Sequence, residues 1–160
     1  MLSIRDVDLF VRREPADGWL PVQEEDEQHE PSARPPCRDF SLVFVIRDET
    51  ERTVLLGKKK RGLGKGMFNG FGGKREPGET MQECAIRELQ EECGLRVARE
   101  HMQPRGTLTI VRPAAEESGA TIVANIHLFT ARQWQGAPVE TEEMTPAWFN
   151  IEGMPYDEMA

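Results

Sequence analysis

Residues 73–95, GKREPGETMQECAIRELQEECGL, constrain this chain more than any other stretch. Thr80 stands three residues ahead of Glu83, the spacing at which a hydroxyl and a carboxylate cap each other's backbone N–H groups, so a helix is predicted to begin there. Nothing between Met81 and Cys93 breaks it, and Gly94 is well placed to end it. Glu88, Glu91 and Glu92 are spaced i, i+3, i+4. At about 100° per residue, Glu88 and Glu92 share a face and Glu91 lies at its edge. Ile86, Leu89 and Cys93 fall on a different face, which can pack against a sheet. Arg87 is one turn from Glu91 and can restrain it by charge pairing.

Three carboxylates this close repel one another and lose solvation if partly buried. A hard divalent cation relieves both costs, and Mg²⁺ takes oxygen ligands with substrate phosphates completing its shell. The competing reading is a solvated acidic face on a surface helix. The flanking sequence favours the metal. Lys58, Lys59, Lys60 and Arg61 run consecutively and are followed by Gly62, Gly64 and Gly66, a flexible positive lip suited to a polyphosphate. Asn69 then sits among aromatic residues, Phe68 and Phe71, and its paired donor and acceptor suit a purine edge as well as they suit backbone.

The rest of the chain supplies a sheet. Residues 40–46, FSLVFVI, read as the first firm strand, with 53–57 its antiparallel neighbour across the charged turn RDETER. Further strands are predicted at 96–99, at 105–111, at 121–130 and around Trp148-Phe149, with a turn at 113–119. His127 lies in phase with Asn125 and Phe129 and reads as a structural histidine. Residues 1–38 read as a variable, acidic, Pro-rich extension preceding a domain at 39–160. Within it, 9–11 suit a short strand or helical turn, His29 reads as solvated, and Trp19-Leu20 are candidates to dock on the domain.

The 73–95 segment resembles the signature box of the Nudix hydrolases. The pattern is filled by Gly73, Glu79, Arg87-Glu88-Leu89, Glu91-Glu92 and Gly94-Leu95. The stretches VLLGKKKRGLGKGMFNGFGGK before it and QGAPVETEEMTPAWF after it are similar to the branch that hydrolyses oxidised purine nucleoside triphosphates. The resemblance implies an α/β fold, the Nudix-type α/β/α sandwich with a mixed β-sheet. It implies Mg²⁺, with Mn²⁺ as a substitute, held by Glu88, Glu91, Glu92 and Glu143 near the Gly73 carbonyl. Glu92 is then the first choice of base and Glu91 the second. Ser41, Lys59, Lys60, Arg61, Phe68 and Asn69 are implied on the substrate, with Asn69 reading the base and Phe68 standing where many relatives carry tryptophan. The same branch carries a tryptophan, a proline and two aspartates shortly after the motif seen here at 154–159, then a second covering helix. The sequence stops at Ala160 without them, so a C-terminally incomplete sandwich is expected.

A formal net charge of −8 argues against non-specific binding to nucleic acid, which needs a basic field, but not against a nucleotide, whose phosphates meet local lysines and metal. Cys37, Cys84 and Cys93 lack zinc-type spacing and are odd in number, which points to a reducing compartment. With no apolar run long enough to span a membrane and no secretory pattern, a cytoplasmic monomer is expected, with nuclear or mitochondrial placement left open. Three functions fit: an oxidised-purine triphosphatase, a Nudix pyrophosphatase for another nucleoside or inositol diphosphate compound, and a non-catalytic nucleotide-binding module. The complete carboxylate set weighs against the last.

Overall fold

The computed structural model describes residues 8–12, 37–48, 52–112 and 122–159. Strands β1 (Asp8–Arg12), β2 (Cys37–Asp48), β3 (Arg52–Lys59), β4 (Phe68–Asn69), β5 (Met102–Arg112), β6 (Ile122–Ala131) and β7 (Met144–Asn150) form one sheet in the order β1-β5-β6-β2-β3-β4, with β7 also on β3. β2 and β6 are parallel and the other pairs antiparallel, so the sheet is mixed, as predicted. Leu55 pairs with both Val45 and Trp148, while Gly57 pairs with both Asn69 and Pro146. β2 and β4 therefore share one edge of β3 and β7 takes the other.

Helix α1 (Met81–Cys93) is the one α-helix among the described residues, and it starts and stops where the sequence says. Thr80 Oγ1 accepts from Glu83 N at 3.2 Å, and the Glu83 carboxylate accepts from Thr80 N at 2.8 Å, closing the capping box. Gly94, in the left-handed conformation at φ 77°, returns its N–H to Gln90 O. The helix lays Ala85, Leu89 and Cys93 against Val43, Val45, Leu55, Phe129 and Ala131, with Phe71, Leu95, Met102 and Met144 filling the flanks. Burying a Leu or Phe side chain of this kind is worth roughly 1.5–3 kcal/mol.

β2, β3 and β5 run longer than the sequence patterns suggested, β6 is shifted by one residue, and one predicted strand is absent. At 96–99 there is only an isolated bridge, Arg96 to Gln135, followed by a 3-10 turn at Arg99–His101. Leu95 and Val97 are buried directly after the helix, and the chain enters the 3-10 turn three residues beyond the bridge, before further pairs can form. Residues 9–11 do form strand, within β1, which pairs with β5. The predicted turn at 113–119, His29 and Trp19-Leu20 lie outside the described residues.

α1 covers one face of the sheet. On the other, Phe40, Leu42, Phe44, Leu108, Ile126 and Leu128 alternate with the core residues and are only half-buried. This is the α/β/α arrangement with one flanking helix among the described residues. No helix among them is long and apolar enough to cross a membrane.

Because the N-cap fixes the first turn of the helix, Thr80→Ala is expected to lower unfolding free energy by about 1 kcal/mol and Thr80→Ser to leave it near wild type, as read from urea midpoints.

Candidate active site

The loop from β4 to α1 sets the site. Residues 70–74 lie along β2: Phe71 N donates to Val43 O at 3.0 Å, Val43 N to Phe71 O at 2.6 Å, and Ser41 N to Gly73 O at 2.9 Å. This contact leaves no room for side chains. A Cβ at Gly72 would collide with the Ser41 carbonyl, and one at Gly73 with the carboxylate of Glu88. The two glycines let the loop pass between β2 and the acidic face of α1.

Across this gap the structure brings together Glu88 and Glu92 of α1. Glu92 is 3% exposed, and its Oε2 accepts from Gly72 N at 2.7 Å. The helical periodicity grouped Glu92 with Glu88 away from the packing face; the structure instead buries it beside Leu89 and Cys93. Burial pushes the Glu92 carboxyl up to about 7; the charges of Glu88 and Glu143 add to the rise, while the Gly72 N–H and Lys59 oppose it. Burial also raises Glu88, countered by Arg87 and assisted by Glu91 and Glu143. Glu143, just before β7, thus acts electrostatically on both helix carboxylates.

Arg87 organises the rest. Its guanidinium donates to Glu79 Oε1 at 2.7 Å and Oε2 at 3.1 Å, to Glu88 Oε1 at 2.8 Å and to Glu91 Oε2 at 3.2 Å. The planar fork matches Glu79 bidentately. The Arg87 bond holds the Glu79 carboxyl down at about 2. Sequence spacing suggested Glu91 as the partner; the stronger one is Glu79, eight residues upstream and brought round by the turn at Pro77-Gly78. Glu91 is the most exposed of the three helix carboxylates, its side chain 59% accessible.

The other candidates are distributed around this centre. Lys59 is near enough for its charge to lower Glu92. Lys60 Nζ bonds Glu140 Oε1 at 2.8 Å, and Arg61 pairs with Glu143, so both cations are tied to the segment before β7. Ser41 is buried; its Oγ accepts from Gly73 N at 3.4 Å and from Cys84 Sγ at 3.4 Å. The Gly73 carbonyl is turned to β2, where Ser41 N and Cys84 Sγ approach it. Phe68 meets Phe149 edge-on at 4.8 Å, and Asn69 Oδ1 accepts from Gly70 N at 2.8 Å. His127 bonds Thr107 Oγ1 at 3.2 Å and lies 3.5 Å from Asp39 Oδ1, in a polar cluster with Asn125 on the sheet. A groove of about 570 Å³ runs over the outer side of α1, lined by Glu83, Ile86, Arg87, Gln90 and Glu91.

The donor set fits a hard divalent ion. It is all oxygen, two of its carboxylates have lost solvation, and their raised proton affinity marks a place where positive charge is wanted. Among the described residues no three acidic, His or Cys side chains converge as a ligand set; Arg87 engages Glu88, Arg61 engages Glu143 and the Gly72 N–H engages Glu92.

A mixed sheet bearing a capped helix with this carboxylate pattern defines a Nudix domain, and residues 35–160 match the NUDIX domain family. The chain belongs to the Nudix hydrolases and is an enzyme of that family, whose fold generally works with a divalent metal. It is 44% identical over 120 residues to the oxidized purine nucleoside triphosphate hydrolase of Danio rerio, covering 75% of this chain and 70% of that protein. To the Mus musculus hydrolase of the same name it is 39% identical over 122 residues, covering 76% and 72%. The fold is similar to that of the MutT Nudix hydrolase from Burkholderia pseudomallei, with a TM-score of 0.56 at 24% identity over 75% of this chain and 88% of that one.

The burial of Glu92 has a measurable sign. Folding favours its protonated form, so that stability is present below pH 4.5 and lost as pH rises through about 7. In chelator, Glu92→Gln is expected to exceed wild type in unfolding free energy by up to about 3 kcal/mol above pH 7, the gap closing in acid, as followed by urea unfolding. With Mg²⁺ and substrate the same variant is expected to turn over roughly a hundredfold or more slowly.

Proposed function

We propose that this enzyme hydrolyses oxidised purine nucleoside triphosphates, of the 8-oxo-dGTP and 2-hydroxy-dATP type, to the monophosphate and pyrophosphate, and so clears damaged precursors from the nucleotide pool. The observation that carries this reading is the short path from Asn69 to the Gly72–Glu92 hydrogen bond. Three extended residues span about 10 Å, comparable to the reach from a base edge to its phosphates. The aromatic and amide pair Phe68-Asn69 and the carboxylate centre therefore lie on one continuous strip of backbone. The names of the Danio rerio and Mus musculus relatives support the same substrate class.

In this reading Glu88, Glu91, Glu92 and Glu143 would hold Mg²⁺, or Mn²⁺ in its place, beside the Gly73 carbonyl. When bound, the metal neutralises charge on phosphate oxygens and acidifies a coordinated water. The chain's own groups do the rest. Glu92 accepts the proton of the attacking water, from a buried position fixed by the Gly72 N–H. Glu91 stands next in line. Arg87 holds Glu79, Glu88 and Glu91 in register. Lys59 screens the phosphates, and Lys60 and Arg61 join it by exchanging Glu140 and Glu143 for phosphate oxygens. Phe68 walls the base, and Asn69, whose Oδ1 is engaged by Gly70 N, offers its Nδ2 donors to the base edge. Ser41 serves the substrate through Gly73. The enzyme acts on a small molecule and as a monomer.

A panel of oxidised and normal purine triphosphates, a dinucleoside polyphosphate and an inositol pyrophosphate tests the reading. Oxidised purines are expected to give the highest kcat/KM. Asn69→Ala is expected to lower kcat/KM for them by roughly 1–3 kcal/mol while sparing inorganic polyphosphate. Equal losses across substrates would place Asn69 in loop structure and favour a different diphosphate compound.

A further inference from the structure

The segment 139–144 carries Glu143 to the site, and one side-chain hydroxyl and one backbone N–H join it to the helix. Thr141 Oγ1 donates to the main-chain carbonyl of Glu92 at 3.0 Å and accepts from Glu143 N and Met144 N, each at 3.2 Å. A hydroxyl has one donor and two acceptor positions, and all are used. The Glu92 carbonyl lies in the last turn of α1, where carbonyls have no intrahelical partner. Its neighbour Cys93 O is met by Val139 N at 2.9 Å, and no basic side chain lies in that turn. From the opposite side Lys60 N donates to Glu143 O at 2.8 Å and Lys60 Nζ to Thr141 O at 2.7 Å. The segment is clamped between the end of α1 and the end of β3, with Thr141 on the helix side.

We propose that Thr141 is a positioning residue whose hydroxyl fixes the separation of Glu92 and Glu143, so that both carboxylates address the same divalent ion. The inference rests on the reading of those two glutamates as metal-holding. Thr141 bonds the backbone of each: Glu92 through its carbonyl, Glu143 through its N–H. Consistent with that separation, the charge of Glu143 already bears on Glu92 across the gap. Without the hydroxyl, three backbone groups lose a partner at once, and the segment is left to Val139 and Lys60, to Thr141 N on Met144 O, and to the exposed, exchangeable Arg61–Glu143 pair. Glu143 then samples positions beyond reach of the ion. A turn-forming threonine of no functional consequence would also stabilise the segment, so stability alone does not separate the two accounts.

The test uses the full chain and Mn²⁺ alone as probe, with free Mn²⁺ followed by electron paramagnetic resonance in the absence of substrate. Thr141→Val is expected to weaken Mn²⁺ binding about five- to tenfold. At saturating Mn²⁺ it is expected to lower kcat about tenfold with KM within twofold. Thr141→Ser, which restores the hydroxyl, is expected to stay within twofold of wild type in all three. Thr141→Ala is a second removal of the hydroxyl and carries the same expectation should the valine variant not fold. Wild-type Mn²⁺ binding in Thr141→Val with a lowered thermal midpoint would overturn the proposal, as would a serine variant as impaired as the valine one. Glu143→Gln separates the layers. If it loses Mn²⁺ affinity while Thr141→Val does not, only the positioning role falls. If it binds as wild type does, the assignment of Glu143 falls and takes the positioning role with it.

Discussion

The hydrogen bond from Gly72 N to the buried carboxylate of Glu92 is the constraint on which the site depends. It requires the loop to lie within a hydrogen bond of the helix, where a side chain at 72 would strike the Ser41 carbonyl and one at 73 would displace the Glu88 carboxylate. It also requires α1 to enter at a fixed angle, which the capping box and the β2 pairing of residues 70–74 supply. Sheet, loop and helix therefore converge on one carboxylate. The apolar contacts of Leu89, Val43 and Phe71 hold these parts together, but they do not specify that a charge should sit among them.

The site is built from cations as much as from carboxylates. Arg87 and Arg61 each neutralise acids that would otherwise repel one another: Glu79, Glu88 and Glu91 on one side, Glu143 on the other. Their roles differ in geometry. Arg87 is partly buried and bidentate, so its contacts are directional and hold side chains in place. Arg61 is well exposed and lies in a glycine-flanked loop, so its pairing with Glu143 is readily exchanged. A rigid arm and a yielding one flank the same centre.

What was legible in the sequence was what is local in the chain. The limits of α1 follow from Thr80, Glu83 and Gly94, all within a turn of the groups they cap. The strands β2, β3 and β6 follow from apolar, β-branched runs and β5 from alternation, although their ends do not. Contacts between distant segments were hidden. Glu79 as the partner of Arg87 depends on a turn that a helical wheel does not contain. The pairing of Arg61 with Glu143 joins residues 82 apart in sequence. The depth to which Glu92 is buried was not legible, because periodicity describes a helix in isolation. The loop that covers Glu92 approaches from outside the helix, and the glycines at 72 and 73 were the signal that it could.

The buried Glu92 carboxylate also bears on how this protein would respond to selection for robustness. A charge kept from water is a standing cost to the folded chain, and an amide at 92, which still accepts from Gly72 N–H, relieves it. Laboratory evolution scored on heat tolerance or expression would therefore drift toward sturdier, inert descendants, with position 92 among the first to change. Only a screen that counts product as well as surviving protein would keep the glutamate in place.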